Sequence, residues 1–155
     1  MKKAAIIGGS MSGLFAANFL KQINWDYSIY EMVPEPLSGR GAGIATYDEL
    51  AELVKLTTGY KQSLGTTCDE RIVLNIKNSV VTKMKYPQVF TSWQYLYDVL
   101  LSNIDKKKYF LGDECIQILK KDNINTLIFK CGKEIQADLI IIANGIRSNL
   151  KKNCR

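Results

Sequence analysis

A chain of 155 residues, 46% apolar and 23% charged, has the composition of an ordinary globular protein and is long enough to bury one core. Its formal charge of +6 comes in short lysine groups (Lys106 to Lys108, Lys120 and Lys121, Lys151 and Lys152) with no interleaved aromatic stripe, so no nucleic-acid partner is expected. The sequence has no histidine, which excludes Ser-His and Cys-His nucleophile schemes, and its four cysteines (Cys68, Cys115, Cys131, Cys154) have no CxxC spacing, so neither a metal site nor a disulfide framework is expected.

Reduced thiols in a cytoplasm are the plain reading of those cysteines. At the N-terminus, Lys2 and Lys3 before an uncharged stretch resemble the start of a signal peptide. However, Gly8, Gly9, Ser10, Ser12 and Gly13 interrupt the apolar run straight after AAII. No apolar span reaches about 18 residues, so no membrane helix is expected.

Residues 4–7 (AAII) read as a strand buried on both faces. Leu14, Ala17, Phe19 and Leu20 then give a helix an apolar face running to about Ile23. WDYSIYE, residues 25–31, reads as a second strand with Tyr27, Ile29 and Glu31 on one face. Strand, helix and strand in this order form a βαβ unit with a right-handed crossover. Residues 32–45 read as a long Pro/Gly-rich loop, and residues 47–57 as a helix.

Between residues 66 and 90, RIVLNIK and SVVTKMKY read as a hairpin or as edge strands. Thr91 or Ser92 is placed to cap a helix in which Trp93, Leu96, Tyr97, Leu100, Leu101 and Ile104 keep helical spacing. ECIQILKK, INTLIFK and EIQA, separated by turns, predict a three-stranded antiparallel meander. DLIIIANG predicts a last buried strand ending at a glycine. The fold class is therefore α/β, and no internal repeat appears.

The first βαβ unit carries the most specific signal. A dinucleotide fingerprint asks for one glycine at the tight turn, a second where backbone meets the pyrophosphate, and a third where helix and strand pack closely. Gly8, Ser10 and Gly13 stand at these places, with Ala17 one helical turn further on and Glu31 closing the second strand. The helix N-terminus offers unpaired N–H groups and partial positive charge to phosphates, and a carboxylate at Glu31 accepts ribose hydroxyls. Ser10 is small, and its hydroxyl can donate to a phosphate oxygen. The plain alternatives are a close strand-to-helix turn without a ligand and, for Glu31, a surface acid.

The loop PEPLSGRGAGI and the segment ADLIIIANGIRSNLKK add a family likeness. With Gly8-Gly9-Ser10, Glu31, Pro36-Leu37-Ser38-Gly39 and Thr91-Ser92-Trp93, they resemble the FAD-dependent aromatic monooxygenases, in particular the 2,6-dihydroxypyridine hydroxylase-like proteins. The resemblance runs through nearly the whole chain in order. It implies a Rossmann-like FAD-binding fold with a parallel sheet, helices and the meander. It also implies that Ser10, Met11 and Ser12 approach the FAD pyrophosphate, that Glu31 meets the adenosine ribose, and that the backbone around Cys115 lies beside the adenine. Arg40 falls on the loop that covers the flavin; a solvated loop charge is its alternative, as an ordinary buried cysteine is for Cys115.

Members of that family reduce FAD with NAD(P)H and use oxygen to hydroxylate a small aromatic substrate. Two departures stand out. Where the family has Ala-Asp-Gly followed by an arginine, this chain has Ala143-Asn144-Gly145 and Lys151. Asn144 keeps the shape and hydrogen bonding of the aspartate and loses its charge. The family's later Gly-Asp motif and most of its substrate sheet have no counterpart in these residues. Residues 1–155 are thus expected to form a partial FAD-binding domain, with 66–90 as the first strands of a truncated substrate domain. No catalytic residue is identified. An N-terminal part of a monooxygenase is the leading expectation; a non-catalytic module completed by a second polypeptide and an NAD-binding dehydrogenase fragment are the alternatives.

Overall fold

The computed structural model describes residues 1–39, 41–122, 124–146, 148 and 150. Its contacts divide the chain into two units, one made of Met1–Ser38 with the chain from Tyr97 onward, the other of Gly39–Leu96.

The first unit is built on a parallel sheet. Strand β1 (Lys3–Ile7) and strand β2 (Asp26–Glu31) flank helix α1 (Met11–Gln22) in the chain, giving the βαβ unit. β1 pairs with β2 on one side and with a late strand, Leu139–Ile142, on the other. β2 in turn pairs with a short strand, Tyr109–Leu111, completing a four-stranded sheet. Ala4 to Ile7, Tyr27, Ile29 and Tyr30 are all buried, as parallel strands covered on both faces require. The antiparallel meander of Cys115–Lys121, Ile124–Phe129 and Glu134–Ala137 has the expected strand order. Its Cys115, Leu127 and Phe129 share one core with Ala5, Ile7 and Tyr30.

The second unit holds strand β3 (Gly43–Thr46), helix α2 (Asp48–Thr58), strand β4 (Thr66–Leu74) and strand β5 (Val80–Ser92). The three strands make an antiparallel sheet in the order β3-β5-β4. Helix α3 (Trp93–Ser102) begins where β5 ends, and the Ser92 hydroxyl accepts the Tyr95 N–H at 3.1 Å as its cap. The remaining strands are β6 (Tyr109–Leu111), β7 (Cys115–Lys121), β8 (Ile124–Phe129), β9 (Glu134–Ala137) and β10 (Leu139–Ile142).

Two expectations need correction, and one strand was not expected. The stretch read as a continuous loop to residue 45 contains β3, whose partner is β5 more than forty positions on. β6 is a three-residue strand that no local pattern announces. Phe19 is 39% exposed, whereas Asn18 is wholly buried. Asn18 follows Leu14 by one helical turn and so lies on the inward stripe. Its amide donates to the carbonyls of Leu14 (2.9 Å) and Leu100 (3.0 Å), and its oxygen accepts from Asn103 at 2.7 Å. A polar residue thereby ties α1 to α3, and every hydrogen bond it makes is to a buried or half-buried partner.

Candidate functional site

The site is the elbow between β1 and α1. Gly8 has φ +104°, a conformation that side chains rarely adopt, and a Cβ there would come within 2.5 Å of the Ala143 carbonyl oxygen. The turn is pinned into the sheet by Gly8 N–H to Tyr30 C=O (2.8 Å) and Ala143 N–H to Ile7 C=O (2.7 Å). A Cβ on Gly13 would collide with the Gly8 carbonyl oxygen, so the helix can approach the turn only with glycine there. Both fingerprint glycines thus have steric causes in the packing.

Ser10 occupies the N-cap of α1 with extended backbone (φ −82°, ψ −167°), and its hydroxyl makes no capping bond. The first backbone bond of the helix runs from Leu14 N–H to the Ser10 carbonyl at 2.9 Å. The N–H groups of Met11, Ser12 and Gly13 precede that bond and have no intrahelical acceptor. No acidic residue stands in the first turn itself, so no side chain of α1 occupies the positive end of the helix. The elbow is suited to receive an anion.

Glu31 is buried at 7% exposure, so the surface-acid alternative is excluded. One carboxylate oxygen accepts the Gly9 N–H at 2.8 Å and the other accepts the Val33 N–H at 3.1 Å. Charge-assisted bonds of this kind hold the acid against the elbow. Each oxygen keeps a further lone pair for a ligand hydroxyl.

The chain around residues 112–115 runs beside this acid. Asp113 N–H donates to the Glu31 carbonyl at 3.0 Å, and Gly112 N–H to the Val33 carbonyl at 3.1 Å. Cys115 follows, paired with Phe129 at a bulge in the meander. Its thiol is buried, and burial pushes its pKa up, which makes it a packing group and not a nucleophile. Asn144 reaches the elbow from the other side, its Cα within 2.8 Å of where a Gly8 Cβ would stand. Its Oδ1 is buried and has no partner among the described residues. Arg40 lies outside the described residues.

The structure therefore brings Gly8, Ser10, Met11, Ser12, Gly13, Glu31 and Asn144 together, with the Cys115 segment alongside Glu31. Two residues escape sequence reasoning. Tyr109 donates its hydroxyl to the Gly9 carbonyl at 2.9 Å across 100 positions of chain, and no local pattern announces such a contact. In the second unit, the Gln94 side chain accepts the Gly39 N–H at 3.0 Å and Trp93 N–H donates to Ala42 C=O at 2.8 Å. Gln94 directly follows the Thr-Ser-Trp motif, and that position was its only signal. Among the described residues no cluster of metal-ligating side chains occurs, and no helix is long and apolar enough to cross a membrane.

No family model matches the chain. Among curated proteins, it is 29% identical to 2,6-dihydroxypyridine 3-monooxygenase of Paenarthrobacter nicotinovorans, over 97% of this chain and 38% of that protein. It is 28% identical to the FAD-dependent monooxygenase nvfK of Aspergillus novofumigatus, over 96% of this chain and 34% of that protein. The chain thus spans less than two fifths of the length of these relatives. The solved structure of 2,6-dihydroxypyridine-3-hydroxylase from Arthrobacter nicotinovorans superimposes with a TM-score of 0.88 at 27% identity, covering 98% of this chain and 39% of that one. Klebsiella pneumoniae HpxO, solved with FAD and uric acid, shares the fold at 21% identity and a TM-score of 0.76, over 93% of this chain and 39% of its own.

Proposed function

The chain is related over nearly its whole length to FAD-dependent monooxygenases, and we propose that it forms the adenosine-binding part of such an enzyme. The observation that carries this reading is the buried Glu31 carboxylate locked to the Gly9 N–H beside a helix N-terminus that has no acidic residue in its first turn and no side-chain cap. A bare strand-to-helix turn needs neither feature. The residues present fit FAD: the cradle at Gly8 and Gly13 admits no Cβ, and the buried Asn144 Oδ1 is an acceptor of the kind a ligand hydroxyl or bound water satisfies.

In this reading the amides from Ser10 to Gly13 bind the diphosphate, and Glu31 orients the ribose through its remaining lone pairs. The backbone at Cys115 borders the adenine. Asn144 holds its part of the site without adding a charge. Arg40 belongs to the reading only through the family likeness. When bound, FAD supplies the redox and oxygen chemistry, while the protein binds and orients it. NAD(P)H is the proposed reductant, a small aromatic ring the substrate class, and the cytoplasm the compartment. No residue of this chain is assigned a catalytic role.

Residues 1–155 are read as a partial FAD-binding domain in which 66–90 begin a substrate-side sheet. All nine residues of β4 are exposed, and Ile72, Val73, Leu74, Val80, Val81 and Met84 are each at least 45% exposed. That exposure supports completion of the sheet by further polypeptide, a second chain being the alternative to a continuous one.

Titration of the purified chain with FAD and, separately, with NADH tests the reading. Saturable quenching of flavin fluorescence is the expected result. Binding of NADH in preference to FAD supports the dehydrogenase alternative, and binding of neither removes the cofactor reading.

A further inference from the structure

Gly9 is not required by its backbone, since its φ lies outside the left-handed range adopted by Gly8. The reason for a glycine lies elsewhere: a Cβ on Gly9 would overlap the Tyr109 phenol, with two ring carbons at 2.6 Å. Tyr109 begins β6, where it pairs in register with Ile29 two residues before Glu31. Its hydroxyl lies 2.9 Å from the Gly9 carbonyl and 3.2 Å from the hydroxyl of Tyr97, a residue of α3 that is 2% exposed. With Tyr109 donating to Gly9, the hydrogen bond between the two phenols is donated by Tyr97.

Two successive peptides of the elbow are thus held from outside it. The Gly9 N–H is held by Glu31, and the Gly9 carbonyl by Tyr109. In a planar trans peptide the carbonyl and the following N–H point in opposite directions. Fixing the Gly9 carbonyl toward Tyr109 therefore turns the Ser10 N–H away from Tyr109. Among the described residues no acceptor meets that N–H. It leads into the run of helix N-terminal amides that have no intrahelical acceptor.

We propose that Tyr109, braced by Tyr97, is a positioning residue of the diphosphate subsite, which aims the Ser10 N–H at the ligand by holding the Gly9 carbonyl. This rests on the FAD reading above. It assigns a task to a residue that lies outside the fingerprint and accounts for Gly9, which the fingerprint leaves unspecified. Removing the hydroxyl leaves the ring packed on Gly9 and lets the peptide rotate. The loss is then felt by ligands that carry phosphate and not by a nucleoside.

The test compares the 155-residue chain with Tyr109→Phe and Tyr97→Phe by calorimetric titration with FAD, with ADP and with adenosine. Tyr109→Phe is expected to weaken FAD and ADP binding about 5- to 10-fold, the worth of one hydrogen bond, and adenosine binding less than about 2-fold. Tyr97→Phe is expected to weaken the first two about 2- to 3-fold through the loss of its brace. Amide exchange gives a second readout: FAD protects the Ser10 N–H in the parent chain and protects it less in Tyr109→Phe. Equal FAD and ADP affinity in parent and Tyr109→Phe overturns the proposal and leaves the FAD reading intact. A uniform loss for all three ligands, with a lowered melting temperature, also overturns it and leaves Tyr109 as a fold brace. If Tyr109→Phe does not fold, the Tyr97→Phe titration decides: no selective loss for FAD and ADP overturns the proposal. A parent chain that binds neither FAD nor ADP removes the FAD reading, and the proposal with it.

Discussion

In the parallel-sheet unit every residue of β1 after Lys3 is buried; in the Gly39–Leu96 unit every residue of β4 is exposed. The two sheets draw stability from different sources. β1 and β2 lie between the helix side and the meander, so each wholly buried side chain, such as Ile6, Leu14 or Ile29, contributes about 1.5–3 kcal/mol. The outer part of the β4–β5 hairpin rests on its own ladder, including the pairs Glu70–Lys85, Ile72–Lys83 and Val73–Thr82. A two-stranded ribbon of this kind is marginal on its own. Its ion pair between Lys83 and Glu70, at 3.4 Å with both side chains about 60% exposed, adds little. The contrast separates a buried parallel sheet from an exposed antiparallel hairpin.

Substitutions can break that contrast, and the largest effect is expected at the elbow. Gly13→Ala drives a Cβ into the Gly8 carbonyl and should cost about 3 kcal/mol of unfolding free energy, read by urea melts, together with a loss of FAD binding. An unchanged melt would mean that helix and turn can separate, and the tight-packing account of the glycine would fall. Asn18→Ala leaves the Leu100 carbonyl and the Asn103 amide unpaired and should cost about 2 kcal/mol by the same melts. Glu31→Gln retains the shape but sets an amide N–H against a backbone N–H. A loss of about 1.5 kcal/mol in stability is expected, with weaker FAD binding by calorimetry. A stable Glu31→Gln chain with full FAD affinity would argue against the acid as ribose holder.

A smaller effect belongs to the far end of the same sheet. Lys108 bonds Asp26 at 2.7 Å, holding the Asp26 carboxyl below its usual pKa and the Lys108 ammonium above its own. Because the Asp26 pKa falls on folding, its contribution is present above the unfolded carboxyl value, about 3.9, and fades as pH drops through the folded value. Lys108 has the opposite sign: its contribution is complete below about 10.4 and fades as pH rises through the folded value. Both side chains are about one third exposed, so solvent screening limits the pair to about 0.5 kcal/mol. Lys108→Met should flatten the acid limb of the stability–pH curve by that amount. The smallest changes are expected on the hairpin, where Ile72→Thr and Val73→Thr should each stay within about 0.5 kcal/mol of the parent. A loss above 1 kcal/mol at either would show that the hairpin is covered, and the contrast between the two regions would disappear.

Much of this was legible in the sequence, because short-range constraints write themselves into short patterns. AAII, the spaced glycines, the cap at Thr91 or Ser92 and the turn-separated strands of the meander each express a local pattern. The elbow and its acid could be read together because the βαβ unit puts them at a characteristic separation. Met11, Ser12 and Cys115 enter through family likeness, since no local period or φ requirement marks them.

What the sequence left open depends on partners far away along the chain. A strand as short as β6 carries too few residues to show a period, and it exists because β2 offers it an edge. β3 likewise needs β5. Asn18 looks like a polar interruption of an apolar face until Leu100 and Asn103 come within bonding distance. Gly9 looks like a spacer until Tyr109 occupies the room a side chain would need. The sequence by itself determined the glycine elbow between β1 and α1, since backbone geometry at neighbouring residues is a local matter. Only the tertiary structure decided what holds that elbow in place, because the groups that hold it, Glu31 and Tyr109, reach it through contacts that close when the sheet forms.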